Sequence, residues 1–173
     1  MRQTHADGYA DGYLDFAANR AGHLFRSACL LTSGDTHLAE DLVQETLGRM
    51  YVVWGRTSKI DNPAGYAQTV LVRVFLSHQR RRSNRERPIA DLPDVMGEAG
   101  VDSTLRLTLL DALGRLAPKD RAVLVLRYWE DRSIEETAYV MRATSSSVRT
   151  RSVRALAKLR ELLGGTLAEF AAN

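Results

Sequence analysis

Apolar residues in the first half of the chain recur at the three- and four-residue spacing of an α-helix. They predict a first helix from about Tyr9 to Leu31, a second from about Thr36 to Trp54, and a third that runs to about Arg82. Asn62 suits the cap of this third helix and Pro63 its first position, since proline has no N–H to leave unpaired there. A loop is therefore expected from residue 55 to the start of the third helix.

In the second half of the chain, apolar residues show the same helical spacing over shorter stretches. One helix is predicted to open near Ser103 and another at Pro118. Ser133 and Glu136 have the spacing of a capping box, which predicts a short helix that ends near Met141. The hydroxyl residues at 144–147 can cap a final helix, and Gly164 is expected to end it. A helix, a tight turn and a second helix are thus predicted over residues 133–163.

The final helix has two unlike faces. At about 100° per residue, Val148, Ala155 and Leu159 fall on an apolar side and a row of basic residues falls opposite. No acidic residue occurs from Thr137 to Arg160, although mixed charges would stabilise an ordinary exposed helix. A solvated surface is the plain alternative. Polar residues at the N-terminal end followed by arginines favour a helix that reads the DNA major groove. The candidates are Ser145, Ser146, Ser147, Arg149, Thr150, Arg151, Arg154 and Lys158.

Two further polar surfaces are predicted on the earlier helices. The third helix runs into HQRRRSNRER at 78–87, which holds more arginines than a helix C-terminus requires and favours contact with a polyanion. The outer arc of the second helix carries Asp41, Gln44, Glu45 and Gly48. Because a mid-helix glycine costs about 1 kcal/mol relative to alanine, Gly48 hints at close approach by a partner. A solvated acidic face explains the same residues.

The placement of charged residues along the chain is more informative than the overall composition. The net charge of the 173 residues is only +3, but residues 88–104 carry four acids with prolines and glycines and no base. This composition predicts a flexible acidic linker, and hence two small domains. Cys29, the one cysteine, is expected in the core and makes no internal disulfide, which favours the cytoplasm. Neither a secretory signal nor a membrane span is expected.

Three segments in this order resemble the extracytoplasmic-function group of the bacterial RNA polymerase sigma-70 family. AEDLVQETLGRMYVVW at 39–54 looks like the helix that docks on the polymerase clamp. NPAGYAQTVLVRVFLSHQRRR at 62–82 is similar to the segment that recognises and melts the minus-10 element. Residues 110–138 and the helix after them resemble the domain that reads the minus-35 element. The family usually has glycine where Arg142 stands, and commonly where Ser146 stands.

The resemblance implies an all-α fold of two domains. Region 2, with three to four helices, is expected over residues 1–87, and region 4, with four helices, over 105–164. The linker covers 88–104 and a tail covers 165–173. Asp41, Gln44, Glu45 and Gly48 would then contact polymerase. The residues expected at the minus-10 element are Lys59, Asn62, Tyr66, Thr69, Arg73, Arg80, Arg81 and Arg82.

The partners that the resemblance implies are core RNA polymerase, through its clamp coiled coil and flap, double-stranded and melted promoter DNA, and an anti-sigma protein. No cofactor, metal or membrane is expected, and the chain is not expected to be an enzyme. Two rival hypotheses are a stand-alone helix-turn-helix repressor and a metal-dependent hydrolase. Two observations argue against the hydrolase. The four histidines do not have the paired spacing of metal ligands, and the sequence contains no nucleophile or phosphate-loop motif.

Overall fold

The computed structural model describes residues 3–84 and 101–171. Within these ranges every regular element is helical, which confirms the predicted all-α fold. No helix there has both the length and the apolar character that crossing a membrane requires. The elements are α1 (Gln3–Leu31), α2 (Thr36–Thr57), α3 (Pro63–Ser83), α4 (Val101–Gly114), α5 (Pro118–Leu124) with a π-helical turn (Val125–Trp129), α6 (Ile134–Met141) and α7 (Ser145–Ala171).

Side-chain caps set the helix starts where the sequence predicts them. Asn62 accepts a hydrogen bond of 2.8 Å from the Gly65 N–H at the start of α3. Ser133 and Glu136 form both hydrogen bonds of the predicted capping box at the start of α6. The hydrogen bond from the Ser133 backbone N–H lowers the pKa of the Glu136 carboxyl. Thr144 caps α7 through a 3.1 Å bond from the Ser147 N–H.

The helix ends differ from the predictions in three places. Helix α1 begins at Gln3 rather than near Tyr9, and α2 continues to Thr57. Gly164 does not end α7, which runs on to Ala171 through most of the predicted tail. Glycine ends a helix when its backbone adopts a left-handed conformation with a positive φ. Among the described glycines only Gly34 has a positive φ, so the helix continues through Gly164. Residues 85–100, which hold most of the predicted linker, lie outside the described residues.

The first three helices and the last four share one core. Its largest cluster contains Leu71 and Phe75 of α3, both with no exposed surface, together with residues from the second half. Those residues are Ala122, Val125, Leu126 and Val140. Cys29 is buried in the same cluster, as predicted. A second cluster of Leu113, Leu116, Leu124 and Ala155 joins α4, α5 and α7. The helix-turn-helix half therefore packs directly on the N-terminal helices.

A buried arginine forms hydrogen bonds across the contact between the two halves of the protein. Arg121, which is 8 % exposed, donates one hydrogen bond of 2.6 Å to the Leu31 carbonyl at the end of α1 and one of 3.2 Å to the Leu116 carbonyl. Burial lowers the pKa of its guanidinium to about 10. The group is still charged at neutral pH, and its bonds satisfy two carbonyl groups near helix ends.

Candidate functional site

Helix α7 presents a polar and basic face to solvent. Val148 and Ala155 are 1 % and 2 % exposed and fix the opposite face against α4, α5 and α6. Ser145, the first residue of the helix, is half-buried. The exposed side chains that follow are Ser146, Ser147, Arg149, Thr150, Arg154 and Lys158. Most of the residues predicted for major-groove contact therefore share one accessible surface.

Arg151 differs from its neighbours on this helix. Its Nη1 atom donates a 2.5 Å hydrogen bond to Asp120 Oδ1 at the start of α5, and the side chain is about one-third exposed. Lys158 Nζ lies 3.6 Å from the Glu161 carboxylate, but both side chains are more than half exposed, so the pair is weak. Arg151 thus supports the packing of α7, while Arg149, Arg154 and Lys158 point to solvent.

The turn between α6 and α7 is left-handed at a residue that is not glycine. Arg142 has φ 51° and ψ 47°, and the Ala143 N–H donates to the Ala138 carbonyl to close the end of α6. A left-handed conformation costs a residue with a side chain about 1–2 kcal/mol. The turn keeps the helix-turn-helix geometry that the sequence predicts, but it carries this strain.

We expect Arg142→Gly to stabilise the protein by about 1 kcal/mol relative to Arg142→Ala, because only glycine adopts this conformation without strain. For a chain of this size the thermal midpoint should rise by about 2–4 °C, measured by circular dichroism. The alanine variant is the control, since it removes the same side chain and keeps a Cβ. A glycine variant that unfolds at or below the midpoint of the alanine variant would contradict the assignment of strain.

The predicted minus-10 stripe on α3 is partly covered by α6. Arg73 donates from Nε to the Val140 carbonyl at 3.2 Å and from Nη2 to the Tyr139 carbonyl at 3.1 Å. Its guanidinium carbon also lies 5.1 Å from the centre of the Tyr139 ring. Thr69 is 6 % exposed and donates its hydroxyl to the Gly65 carbonyl. In this arrangement Thr69 offers no surface to DNA, and Arg73 is held by α6.

The remaining residues of this predicted site are accessible. Arg80, Arg81 and Arg82 are exposed in the last turn of α3, and Lys59 and Asn62 are exposed in the loop before it. Tyr66 is 38 % exposed. Burial, followed by the guanidinium groups of Arg81 and Arg82, lowers the pKa of the nearby His78. The structure thus groups a basic cluster at one end of α3 and separates it from the covered stripe.

A cleft of about 880 Å³ lies between α2 and α3 on one side and the helix-turn-helix half on the other. Tyr66, Arg73 and Arg80 line it together with apolar side chains. Three of its basic residues, Arg49, Lys119 and Arg142, were not among the predicted site residues. None of the described residues that line it is acidic. No periodic pattern could reveal these three, because they come together only when the two halves pack.

The acid-and-amide arc of α2 faces solvent. Asp41, Gln44 and Gly48 are exposed, and Glu45 is half-buried with its carboxylate 2.6 Å from Arg49 Nη2. A Cβ at Gly48 would meet no heavy atom of the chain within 4 Å. The chain's own packing therefore gives no reason for glycine at this position.

Among residues 3–84 and 101–171, no three His, Cys, Asp or Glu side chains are grouped so as to hold a metal ion.

The chain matches two family models, Sigma-70 region 2 over residues 17–85 and Sigma-70 region 4 over residues 112–161. It is 36 % identical over 150 residues to an RNA polymerase sigma-E factor of Streptomyces coelicolor, covering 86 % of this chain and 84 % of the relative. It is 34 % identical over 158 residues to the ECF RNA polymerase sigma factor SigL of Mycobacterium tuberculosis, covering 84 % and 87 %.

The fold is also similar to that of sigma factor RpoE in its co-crystal structure with anti-sigma factor NepR from Bartonella quintana. The TM-score is 0.68 at 23 % identity, with 88 % of this chain and 97 % of that chain covered.

These matches place the chain in a class of transcription initiation factors with two characteristic helical regions. The chain belongs to the sigma-70 family of RNA polymerase sigma factors, in its extracytoplasmic-function group. It is therefore a sigma factor rather than a stand-alone helix-turn-helix regulator.

Proposed function

We propose that this sigma factor divides its work among three surfaces: α7 for the minus-35 element, the basic end of α3 for the minus-10 element, and the outer arc of α2 for core RNA polymerase. The observation that carries the proposal is the exposed face of α7. This face begins with hydroxyl side chains and continues with Arg149, Arg154 and Lys158, while Val148 and Ala155 on the opposite face are buried.

The chemistry of α7 fits double-stranded DNA. The hydroxyl groups of Ser146, Ser147 and Thr150 are near its N-terminal end, where they can reach base edges. Arg149, Arg154 and Lys158 can neutralise phosphates, and each such contact should release counterions. Ser145 and Arg151 have supporting roles in this proposal, because one begins the helix and the other pairs with Asp120.

The end of α3 fits melted promoter DNA. Arg80, Arg81 and Arg82 would hold the backbone, and Tyr66 offers an aromatic face on which a base can stack. Lys59 and Asn62 lie in the loop between α2 and α3, which we propose captures a flipped base that costs a few kcal/mol to unstack. Arg73 would join this surface only after it leaves α6, and Thr69 is buried and makes no DNA contact in this proposal.

The arc of α2 supplies the contact with polymerase. Asp41 and Gln44 are exposed polar groups on a rigid helix, and Gly48 leaves space for close approach to the clamp coiled coil. Region 4 would contact the flap. We further propose that the chain works in the cytoplasm without a cofactor or catalysis of its own, because it positions DNA for the polymerase. The Bartonella complex suggests that an anti-sigma protein holds this chain as well.

Run-off transcription tests the proposal. Purified chain is added to core polymerase that carries no other sigma factor, with fragmented genomic DNA as template. We expect discrete transcripts that share upstream elements, and none with core polymerase alone. A pull-down with core polymerase separates this outcome from simple DNA binding. If the chain binds DNA but neither binds the polymerase nor yields transcripts, the proposed function is wrong.

A further inference from the structure

We propose that the cleft between α2, α3 and the helix-turn-helix half is a binding site for a nucleoside polyphosphate. The cleft has a volume of about 880 Å³. This volume lies within the range of about 300–1,000 Å³ that is typical of sites for small molecules. The groups that form the site belong to the free chain, and the site needs neither polymerase nor promoter DNA. The inference therefore goes beyond the proposed function and does not depend on it.

Cations without a carboxylate partner surround the cleft. Arg80 comes from the last turn of α3, Lys119 from the first turn of α5, and Arg142 from the turn between α6 and α7. Their side chains are exposed, and none forms an ion pair with another described residue. Because a cleft lined by one sign of charge concentrates ions of the opposite sign, this arrangement favours binding of an anion.

The other basic side chains that line the cleft already have partners within the chain. Arg49 pairs with Glu45, and Arg151 pairs with Asp120. Arg73 donates two hydrogen bonds to carbonyl groups of α6. No acidic residue is among the described residues that line the cleft. A bound anion would therefore supply the partners that the remaining cations lack.

The backbone at Arg142 supports a role in binding. Its φ of 51° is left-handed, a conformation that glycine adopts without strain and arginine does not. Strained residues of this kind cluster at active sites and ligand clamps. The Arg142 side chain is exposed and forms no hydrogen bond with another described residue, so the packing of the turn does not explain an arginine here. Contact with an anion does explain it.

The apolar part of the cleft fits a nucleobase. Tyr66 is 38 % exposed and lines the cleft together with Val70, Leu76, Val140 and Met141. A base can stack on the face of a tyrosine, while arginine and lysine bind phosphate oxygens through charge-assisted hydrogen bonds. A nucleoside polyphosphate matches both parts of the cleft. Inorganic polyphosphate matches only the basic part.

Isothermal titration calorimetry of the full chain with ATP, GTP and inorganic tripolyphosphate tests the site. We expect one saturable site per chain for both nucleotides. The affinity for tripolyphosphate should be lower by about tenfold, because it has no base to stack. Tyr66→Ala should lower the affinity for ATP by about tenfold and leave the affinity for tripolyphosphate unchanged.

A second variant tests the basic part of the cleft. Replacing Lys119 and Arg142 together by alanine should weaken binding of both ATP and tripolyphosphate by at least about tenfold, since charge-assisted contacts are lost. The matched control is Arg26→Ala with Arg106→Ala, which removes the same charge from exposed arginines at a separate cavity of about 250 Å³ between α1 and α4. The control should keep its affinity. If circular dichroism shows that the double variant is unfolded, Lys119→Ala is compared with Arg106→Ala.

A single-stranded oligothymidine is the comparison for nucleic acid. Proteins that bind single strands use grooves that follow the backbone, whereas the cations here come from three elements around one cavity. Replacing Lys119 and Arg142 should therefore weaken binding of ATP and leave binding of the oligonucleotide nearly unchanged.

Three results would overturn the nucleotide site. The first is the absence of saturable binding of ATP and GTP, and the second is equal affinity in the Lys119 and Arg142 variant and its control. The third is an equal loss of affinity for ATP and for the oligonucleotide, because the cleft would then hold a nucleic-acid strand. Failure of the proposed function would look different: the chain would not bind core polymerase, while these titrations would still decide whether it binds nucleotides.

Discussion

Replacing Arg154 and Lys158 together by alanine is expected to weaken binding of the polymerase–sigma complex to promoter DNA by about hundredfold. Hydrogen bonds to charged groups contribute about 1.5–3 kcal/mol each, and 1.4 kcal/mol is a factor of ten in affinity. Both side chains are exposed on the basic face of α7, so their removal should leave the fold intact. The measurement is fluorescence anisotropy with a promoter duplex identified by run-off transcription.

Salt dependence separates phosphate binding from other causes of weaker affinity. The log–log slope of affinity against salt should fall by about 0.9 for each phosphate that the variant no longer neutralises. The matched control is Arg26→Ala with Arg115→Ala, which removes the same charge from two exposed arginines on α1 and α4. We expect the control to retain nearly the full slope. Equal slopes for the two variants would show that α7 does not hold phosphates.

The sequence predicted most strongly the features that depend on neighbours along the chain. Asn62 with Pro63, and Ser133 with Glu136, define helix starts within four residues, so local chemistry alone determines them. The resemblance to family motifs predicted the order of the two regions along the chain and the function of the chain. Gly164 shows the limit of this approach, because a glycine permits a helix to end but does not force it to.

Contacts between the halves could not be predicted in the same way. Periodicity identifies Val140 and Leu126 as apolar positions, but it cannot say which helix covers them. Both pack in the large core cluster with α1–α3. The same limit applies to Arg73 and Arg151. The family resemblance predicts DNA contact for Arg73 and the basic face of α7 predicts it for Arg151, but neither signal could show that these side chains also bond to carbonyl groups of α6 and to the carboxylate of Asp120.

The same contacts bear on the proposed function. In the structure, α7 and the outer arc of α2 are exposed, while Thr69 is buried and Arg73 is bound to α6. The docking on polymerase that we propose for α2 uses side chains that are already accessible, so substitutions on α2 test it directly.

Changing Asp41 and Gln44 together to alanine is expected to reduce affinity for core polymerase by about hundredfold, since a few residues carry most of the binding energy in many interfaces and hydrogen bonds to a charged group contribute about 1.5–3 kcal/mol. Glu45 is left in place because its carboxylate already pairs with Arg49. Alanine favours helix, so thermal stability should change little. The control is Asp15→Ala with Asn19→Ala, an exposed acid and amide on α1. Surface plasmon resonance on immobilised core polymerase compares the two variants, and equal affinities would exclude the arc of α2 as the docking surface.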